Sequence, residues 1–590
     1  MKPRPVVLQR IFLALSALLV LRLTQLQLVQ GARYARLSDR NRIRQVILSA
    51  PRGRVFDRNG ELLADTRPSF TVSVIPTEMD DNTLASLAGL LEVPEDELRD
   101  MVRPVTHVSA PVKVRRNLTA RQLYRLEENR FRLAGVRTSV DPVRNYPGRE
   151  TYCHVLGHVG EANAADLARD TSYRLLDFVG RDGIEGRYEA ALRGRDGVEY
   201  IEVDVRGQEI GPLAEKRLVE PQAGSDLHLT VDARLHRECE RLMRGRAGAA
   251  VALDVRTGEV LCLYSQPGYD PGIFTGPIPA RLWDSLVGSP GRPFFHRAIC
   301  AGYPPGSVFK PFVALAALES GRATAGTRYA PCQGSYRYGD RTFACWSRHG
   351  SLAMVDALAH SCNVYFYQLG LDLGLDSLAS FVGSFPFGRP TGIDVPNEAP
   401  GRLPTRDWLD KRYGRNRWGR GTLLNLSIGQ GEMLATPLQV ALAFAAIAGE
   451  GRYHLPHIVA RVDSAGVTTL RARPRAGRAA GDAASYRIVK RGLERVVERG
   501  TARAARLADV AIAGKTGTAQ NPSGEDHAWF ACYAPVDNPE IAVAVIVERG
   551  GHGGAVAAPI ARQLVRRWFD LPDFEPPAEP VRPDSADDAR

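Results

Sequence analysis

Ala249-Ala250-Val251-Ala252-Leu253-Asp254-Val255-Arg256-Thr257-Gly258-Glu259-Val260-Leu261-Cys262-Leu263-Tyr264 reads as two apolar strands around Arg256-Thr257-Gly258, a hairpin signature. Three further strand-like runs come much later, at Val510 to Ala519, Ala528 to Tyr533 and Ile541 to Glu548, followed by an apolar helix from Val556 to Phe569. Hairpin and late runs together predict one five-stranded antiparallel sheet. Helical patterns dominate Pro311 to Gly449, so a helical lobe is inserted between strands two and three, and the class is α+β. Asp226 to Val231 alternates like a strand and Asp232 to Met243 reads as a helix, which places the start of this domain near residue 226.

Upstream, Asn41 to Glu220 is a mosaic of short alternating strands, such as Phe70 to Ile75 and Val198 to Val205, with Arg-rich loops, small helical patches and no dense cluster of catalytic residue types. Lys2, Arg4 and Arg10 precede an apolar run from Ile11 to Leu21, which Arg22 interrupts before Leu23, Leu26, Leu28 and Val29 continue it. No small-residue cleavage site follows, so residues 1–30 read as a cytoplasmic stub and an uncleaved transmembrane anchor. Basic residues before the span place the N-terminus in the cytoplasm and the remainder outside it. Gly466 to Ser485 reads as a loose surface loop, and residues 571–590, rich in proline and acids, as a disordered tail.

The 590 residues allow two or three domains, and 44% hydrophobic with 24% charged residues excludes both a wholly disordered chain and a many-span membrane protein. A net charge of +11 at this length is a mild excess and no nucleic-acid footprint. Only seven of the 77 basic residues are lysine. In such a chain each lysine is a candidate for work that arginine cannot do, above all losing its proton.

Two of the seven fall in a chemical pattern. Tyr303-Pro304-Pro305-Gly306-Ser307-Val308-Phe309-Lys310-Pro311 opens an apolar helix, with Ser307 in its first turn and Lys310 one turn on. A serine hydroxyl needs a base, and a lysine with a lowered pKa is one. Ser361-Cys362-Asn363 follows a helical run, Leu352 to His360, and adds a hydroxyl and an amide. Lys515-Thr516-Gly517-Thr518 lies in the third strand, where an edge backbone could pair with an extended substrate and the glycine permits close approach. Lys515 adds a cation that depresses Lys310.

This triplet resembles the active-site-serine penicillin-recognising enzymes, whose motifs are S-x-x-K, S-x-N and K-T-G. The anchor, Ser49-Ala50-Pro51-Arg52-Gly53-Arg54-Val55-Phe56-Asp57-Arg58-Asn59-Gly60 and Gly180-Arg181-Asp182-Gly183-Ile184-Glu185 resemble class B penicillin-binding proteins, over roughly residues 5 to 570. Ser361 to Gln368 and Ser427-Ile428-Gly429-Gln430-Gly431 look more like the elongation-type subgroup, penicillin-binding protein 2, than the septal one.

The resemblance implies an anchor over 1–30, a non-catalytic, dimerisation-like pedestal over 31–225 and a transpeptidase domain over 226–570. It implies a D,D-transpeptidase that cross-links peptidoglycan stem peptides in the periplasm and is inhibited by β-lactams. Ser307 would attack the terminal D-Ala-D-Ala peptide, Lys310 take its proton, and Ser361 relay a proton to the departing D-alanine. Asn363 would hold the donor amide, Lys515, Thr516 and Thr518 its carboxylate end, and the N–H groups of Ser307 and Thr518 form the oxyanion hole. Gly517 completes the substrate-binding strand. No cofactor is required. Implied partners are a SEDS-family glycosyltransferase and other elongation-complex proteins, with no nucleic acid. A septal transpeptidase, or a hydrolase of the carboxypeptidase or β-lactamase type, is the alternative; no Glu-containing deacylation loop is found.

Cys332, Cys345, His349 and Cys362 are spaced 13, 4 and 13 apart. Four soft ligands suit a closed tetrahedral zinc site. A Cys332 to Cys345 disulfide and free buried thiols remain as alternatives.

Overall fold

A computed structural model describes residues 4–34, 43–103, 111–174, 177–203, 209–213, 217–276, 278–415, 417–521 and 524–572. Of the expected disordered tail, 571–590, residues 573–590 lie outside them. The chain divides into two compact units. Asp226–Arg590 falls in the second, and the earlier segments Arg54–Asp65 and Asn145–Glu189 group with it. Long-range contacts hold them there: Leu227 pairs in parallel with Val55, Arg54 forms a 2.6 Å ion pair with Asp226, and buried His154 Nε2 lies 2.8 Å from Pro293 O.

The first unit begins with the apolar helix Arg4–Thr24, continued as a π-helical turn Gln25–Val29. Val6–Val29 is 24 residues with mean hydropathy 2.0 and none of its window buried, the one span long and apolar enough to cross a membrane among the described residues. Arg22 does not lack a partner within it, because its Nη1 donates to Gln25 Oε1 at 2.7 Å. Further on, Ile43–Leu48, Gly197–Val203 and Glu209–Pro212 form a three-stranded antiparallel sheet. A separate small core gathers Val72, Leu87, Leu91, Leu98, Val114 and Leu126.

The second unit carries the predicted sheet. Helix α1 (Ala233–Met243) is capped by Asp232, whose side chain accepts from Arg234 N. Strands β1 (Gly248–Asp254) and β2 (Val260–Gln266) form the hairpin. Asp254 makes its turn, with Oδ1 accepting from Arg256 N at 2.8 Å and its carbonyl from Gly258 N at 2.9 Å. Between β2 and the late strands lie helix α2 (Lys310–Glu319), hairpin β3 (Ser335–Tyr338) and β4 (Arg341–Ala344), and helices α3 (Met354–Ala359), α4 (Asn363–Leu373), α5 (Pro437–Ala448) and α6 (Ala483–Glu498). Strands β5 (Ala513–Ala519), β6 (His527–Ala534) and β7 (Ile541–Val547) and helix α7 (Ala557–Trp568) complete it.

The order is β2-β1-β7-β6-β5, antiparallel throughout, so β5 is an edge. α1 and α7 share one core with the sheet through Leu235, Cys239, Phe530, Val543, Ile560 and Leu564. α5 also packs on the sheet, and all twelve of its residues are buried. A helix apolar all round can exist in a soluble unit only when so enclosed. The supposed loose loop is partly ordered: Val467–Arg471 pairs antiparallel with Val459–Ser464, and Ala476–Arg478 with Arg452–His454. β-Branched Val467, Thr468 and Thr469 favour the first pairing, but all five residues of that strand are exposed, which hid the strand from an apolar pattern.

Candidate active site

The serine turn is built by sterics. Ser307 lies in a 3-10 turn, Gly306–Phe309, which runs into α2 with Pro311 in its first turn, where a missing N–H costs nothing. Gly306 has φ +57°, and a Cβ there would stand 2.8 Å from Thr518 O. Opposite, a Cβ on Gly517 would meet Pro305 O at 2.9 Å and Trp529 Cβ at 3.0 Å. The turn and the edge strand β5 therefore touch backbone to backbone, and glycine is needed on both. Trp529 of β6, fully buried and paired with Gly517 of β5, donates from Nε1 to Pro304 O at 3.1 Å.

Ser307 is half-buried. Lys310, fully buried, reaches across to the second motif: Nζ donates to Ser361 O at 2.7 Å, Asn363 Oδ1 at 2.6 Å and Ser361 Oγ at 3.3 Å. Ser361 adopts φ +52°, a left-handed conformation that a non-glycine residue occupies at a cost. Asn363 opens α4, and its Nδ2 donates to Ala344 O at 3.2 Å.

Burial pushes Lys310 down to about 8, against a raising influence from Cys345 and Cys362. Lys515, also fully buried, is held well below the ordinary lysine range, first by burial and then by the like charge of Lys310. The sequence reading credits Lys515 with lowering Lys310; burial does that instead, and the like-charge influence runs from Lys310 onto Lys515. Lys515 Nζ donates to Thr516 O at 3.2 Å, and the Thr516 hydroxyl lies 2.6 Å from that of Thr501. Thr501 and Trp529 carry no motif signal and become visible only through these contacts.

Beside the second motif the Cys/His set converges. The ligand atoms of Cys332, Cys345, His349 and Cys362 all lie within 4.8 Å of one another. A zinc ion with bonds of about 2.3 Å to sulfur asks for ligand separations of roughly 3.8 Å. His349 Nδ1 is 3.5 Å from Cys345 Sγ and 3.7 Å from Cys332 Sγ, so the donor set fits a tetrahedral ion. Cys345 is held well below the ordinary thiol range, first by the hydrogen bond from Cys362, which is pushed up in turn. Its sulfur also accepts from Asn363 N at 3.3 Å, which ties the set to the motif. All eight cysteines are free thiols in the structure.

The three motifs thus meet around one half-buried serine. A family model described as the penicillin binding protein transpeptidase domain matches residues 248–566, and the penicillin-binding protein dimerisation domain matches 47–229. The chain belongs to the penicillin-binding protein transpeptidases. It is 34% identical to the peptidoglycan D,D-transpeptidase MrdA of Acinetobacter baumannii, over 97% of this chain and 89% of the relative. The Escherichia coli K12 protein of the same name is also 34% identical, over 94% and 92%. Among solved structures, penicillin-binding protein 2 of Helicobacter pylori in complex with MreC matches with TM-score 0.79 and 28% identity, covering 90% of this chain and 99% of that one. A peptidoglycan synthase complex that coordinates polymerization and crosslinking contains a chain matching with TM-score 0.73 and 30% identity, over 97% and 99%.

Proposed function

We propose that Ser307 is the acylated residue of an elongation-type, serine peptidoglycan D,D-transpeptidase. The observation that carries this is Lys310: fully buried, lowered to about 8, and bonded to both Ser361 and Asn363 one helical turn from Ser307. In this reading neutral Lys310 takes the Ser307 proton as Oγ attacks the D-Ala-D-Ala carbonyl, and Ser361 Oγ passes a proton to the departing D-alanine. The N–H groups of Ser307 and Thr518 stabilise the tetrahedral oxyanion. Asn363 holds the donor amide through the remaining N–H of Nδ2. Thr516, Gly517 and Thr518 line the donor from the β5 edge, and Lys515 meets its carboxylate end from beneath through the N–H donors of Nζ. An amine of a second stem peptide then displaces Ser307 and completes the cross-link.

The domain limits of 1–30, 31–225 and 226–570 accompany this reading, with the N-terminus cytoplasmic, the catalytic unit periplasmic and a SEDS-family glycosyltransferase as membrane partner. Cys332, Cys345, His349 and Cys362 would hold a structural zinc ion, with no part in the chemistry. Fluorescent penicillin tests the core claim. The parent chain should label covalently and Ser307→Ala should not; equal labelling of the two would reject the assignment.

A further inference from the structure

Gln430 lies in the loop after the helix Gly421–Ser427 and is 8% exposed. Its side-chain amide faces the end of β5. Nε2 donates to Thr518 O at 3.0 Å, and Oε1 accepts from Gln520 N at 3.3 Å. In an antiparallel strand the N–H and C=O of one residue point to the same side. Thr518, whose carbonyl meets Gln430 at the free edge, therefore presents its N–H to that edge as well. That N–H is one half of the proposed oxyanion hole.

The same loop also holds the other half. Gly429 O accepts from Gly306 N at 2.8 Å, the peptide just before Ser307. Gly429 has φ +70°, and a Cβ on it would fall 2.2 Å from Gly306 O, so this contact is closed by backbone alone. Two adjacent loop residues thus hold the peptide units directly next to the two whose N–H groups must converge on one oxygen. The Gln430 amide moreover offers a donor and an acceptor where a further strand would pair. An extended donor peptide laid along β5 is stopped there, with the Thr518 N–H as its last open donor.

We infer that Gln430 is a positioning residue that caps the β5 edge, aligns the Thr518 N–H with that of Ser307, and so sets the register of the donor stem peptide. This rests on the oxyanion-hole assignment proposed above.

The test uses the full-length chain with penicillin and with an alkyl boronic acid, whose tetrahedral adduct places an oxygen in the hole. Gln430→Glu keeps the shape but loses the donor to Thr518 O; Gln430→Met keeps the length and loses both bonds. Both should lower the saturating acylation rate about tenfold or more, an indirect share of what a lost oxyanion donor costs. Boronic acid affinity should fall by a similar factor. Pre-acylation penicillin affinity and melting temperature should hold. Parent-like rates in both variants, with Ser307→Ala inert, would overturn the inference and leave the function standing. A parallel fall of rate, pre-acylation affinity and melting temperature would also overturn it, as mere structural support. Penicillin labelling of Ser307→Ala would instead bring down the underlying reading.

Discussion

The two sides of the catalytic cleft are held in different ways. On the serine side, Gly306, Ser307 and the β5 edge rest on a sheet whose central strands are buried along their full length, and the contacts between turn and edge are backbone on backbone. On the other side, Asn363 donates from Nδ2 to Ala344 O of β4, which with β3 forms a two-stranded hairpin with no buried residue in either strand. An isolated hairpin is marginal at best in water. Helices α3 and α4 on either side of these residues are largely buried, and the four soft side chains join the exposed hairpin to the start of α4. One side is fixed by apolar burial and backbone-on-backbone packing, the other in part by a Cys/His cluster against an exposed hairpin, and Lys310 reaches from the first to the second.

Breaking that bridge should have the largest effect. Lys310→Arg keeps the charge but cannot yield its proton, and should acylate with penicillin as poorly as Lys310→Ala, by about a hundredfold or more below the parent. An arginine variant within about tenfold of the parent would show that another group is the base.

Removing the ligand cluster should loosen only the second side. The purified chain should carry about one zinc ion, and a chelator or Cys345→Ser should lower both melting temperature and acylation rate, because metal binding contributes to folding free energy. Mass spectrometry of unreduced peptides checks the alternative, since a Cys332 to Cys345 cross-link without metal would replace the ion with a disulfide.

The bridge itself should titrate. Burial favours neutral Lys310, whose pKa of about 8 means that the base form grows as pH rises. Acylation should therefore increase by up to about tenfold per pH unit below 8 and level off above it. A flat profile between about pH 6.5 and 9 would assign the limb elsewhere.

The smallest effect is expected where the serine side is over-braced. Thr501→Val removes the 2.6 Å contact with the Thr516 hydroxyl but leaves the edge strand paired to β6. It should cost about 1 kcal/mol of stability in denaturant unfolding and change acylation only about twofold. A loss as large as that from Cys345→Ser would erase the distinction between the two sides.

The sequence by itself determined much of the catalytic unit. Alternating and continuous apolar runs at 249–264 and 510–548 specify strands because one or both faces are buried, and three short motifs in order name the serine, the lysines and the asparagine. Cys332, Cys345, His349 and Cys362 were legible as a set because cysteine and histidine are scarce. Only the tertiary structure decided which atoms meet. Lys310 bonds to Ser361 and Asn363 across 51 and 53 residues of chain, Gln430 to Thr518 across 88, and Trp529 to Pro304 across 225. Strand Val467–Arg471 escaped because an exposed edge has no apolar period, and Arg54–Asp65 and Asn145–Glu189 join the second unit through pairings that no local pattern encodes. Local composition records whether a residue is buried. The partner it is buried against is set by how distant segments close on one another, and at this site that closure, through Gly306 and Gly517, leaves room for no other residue.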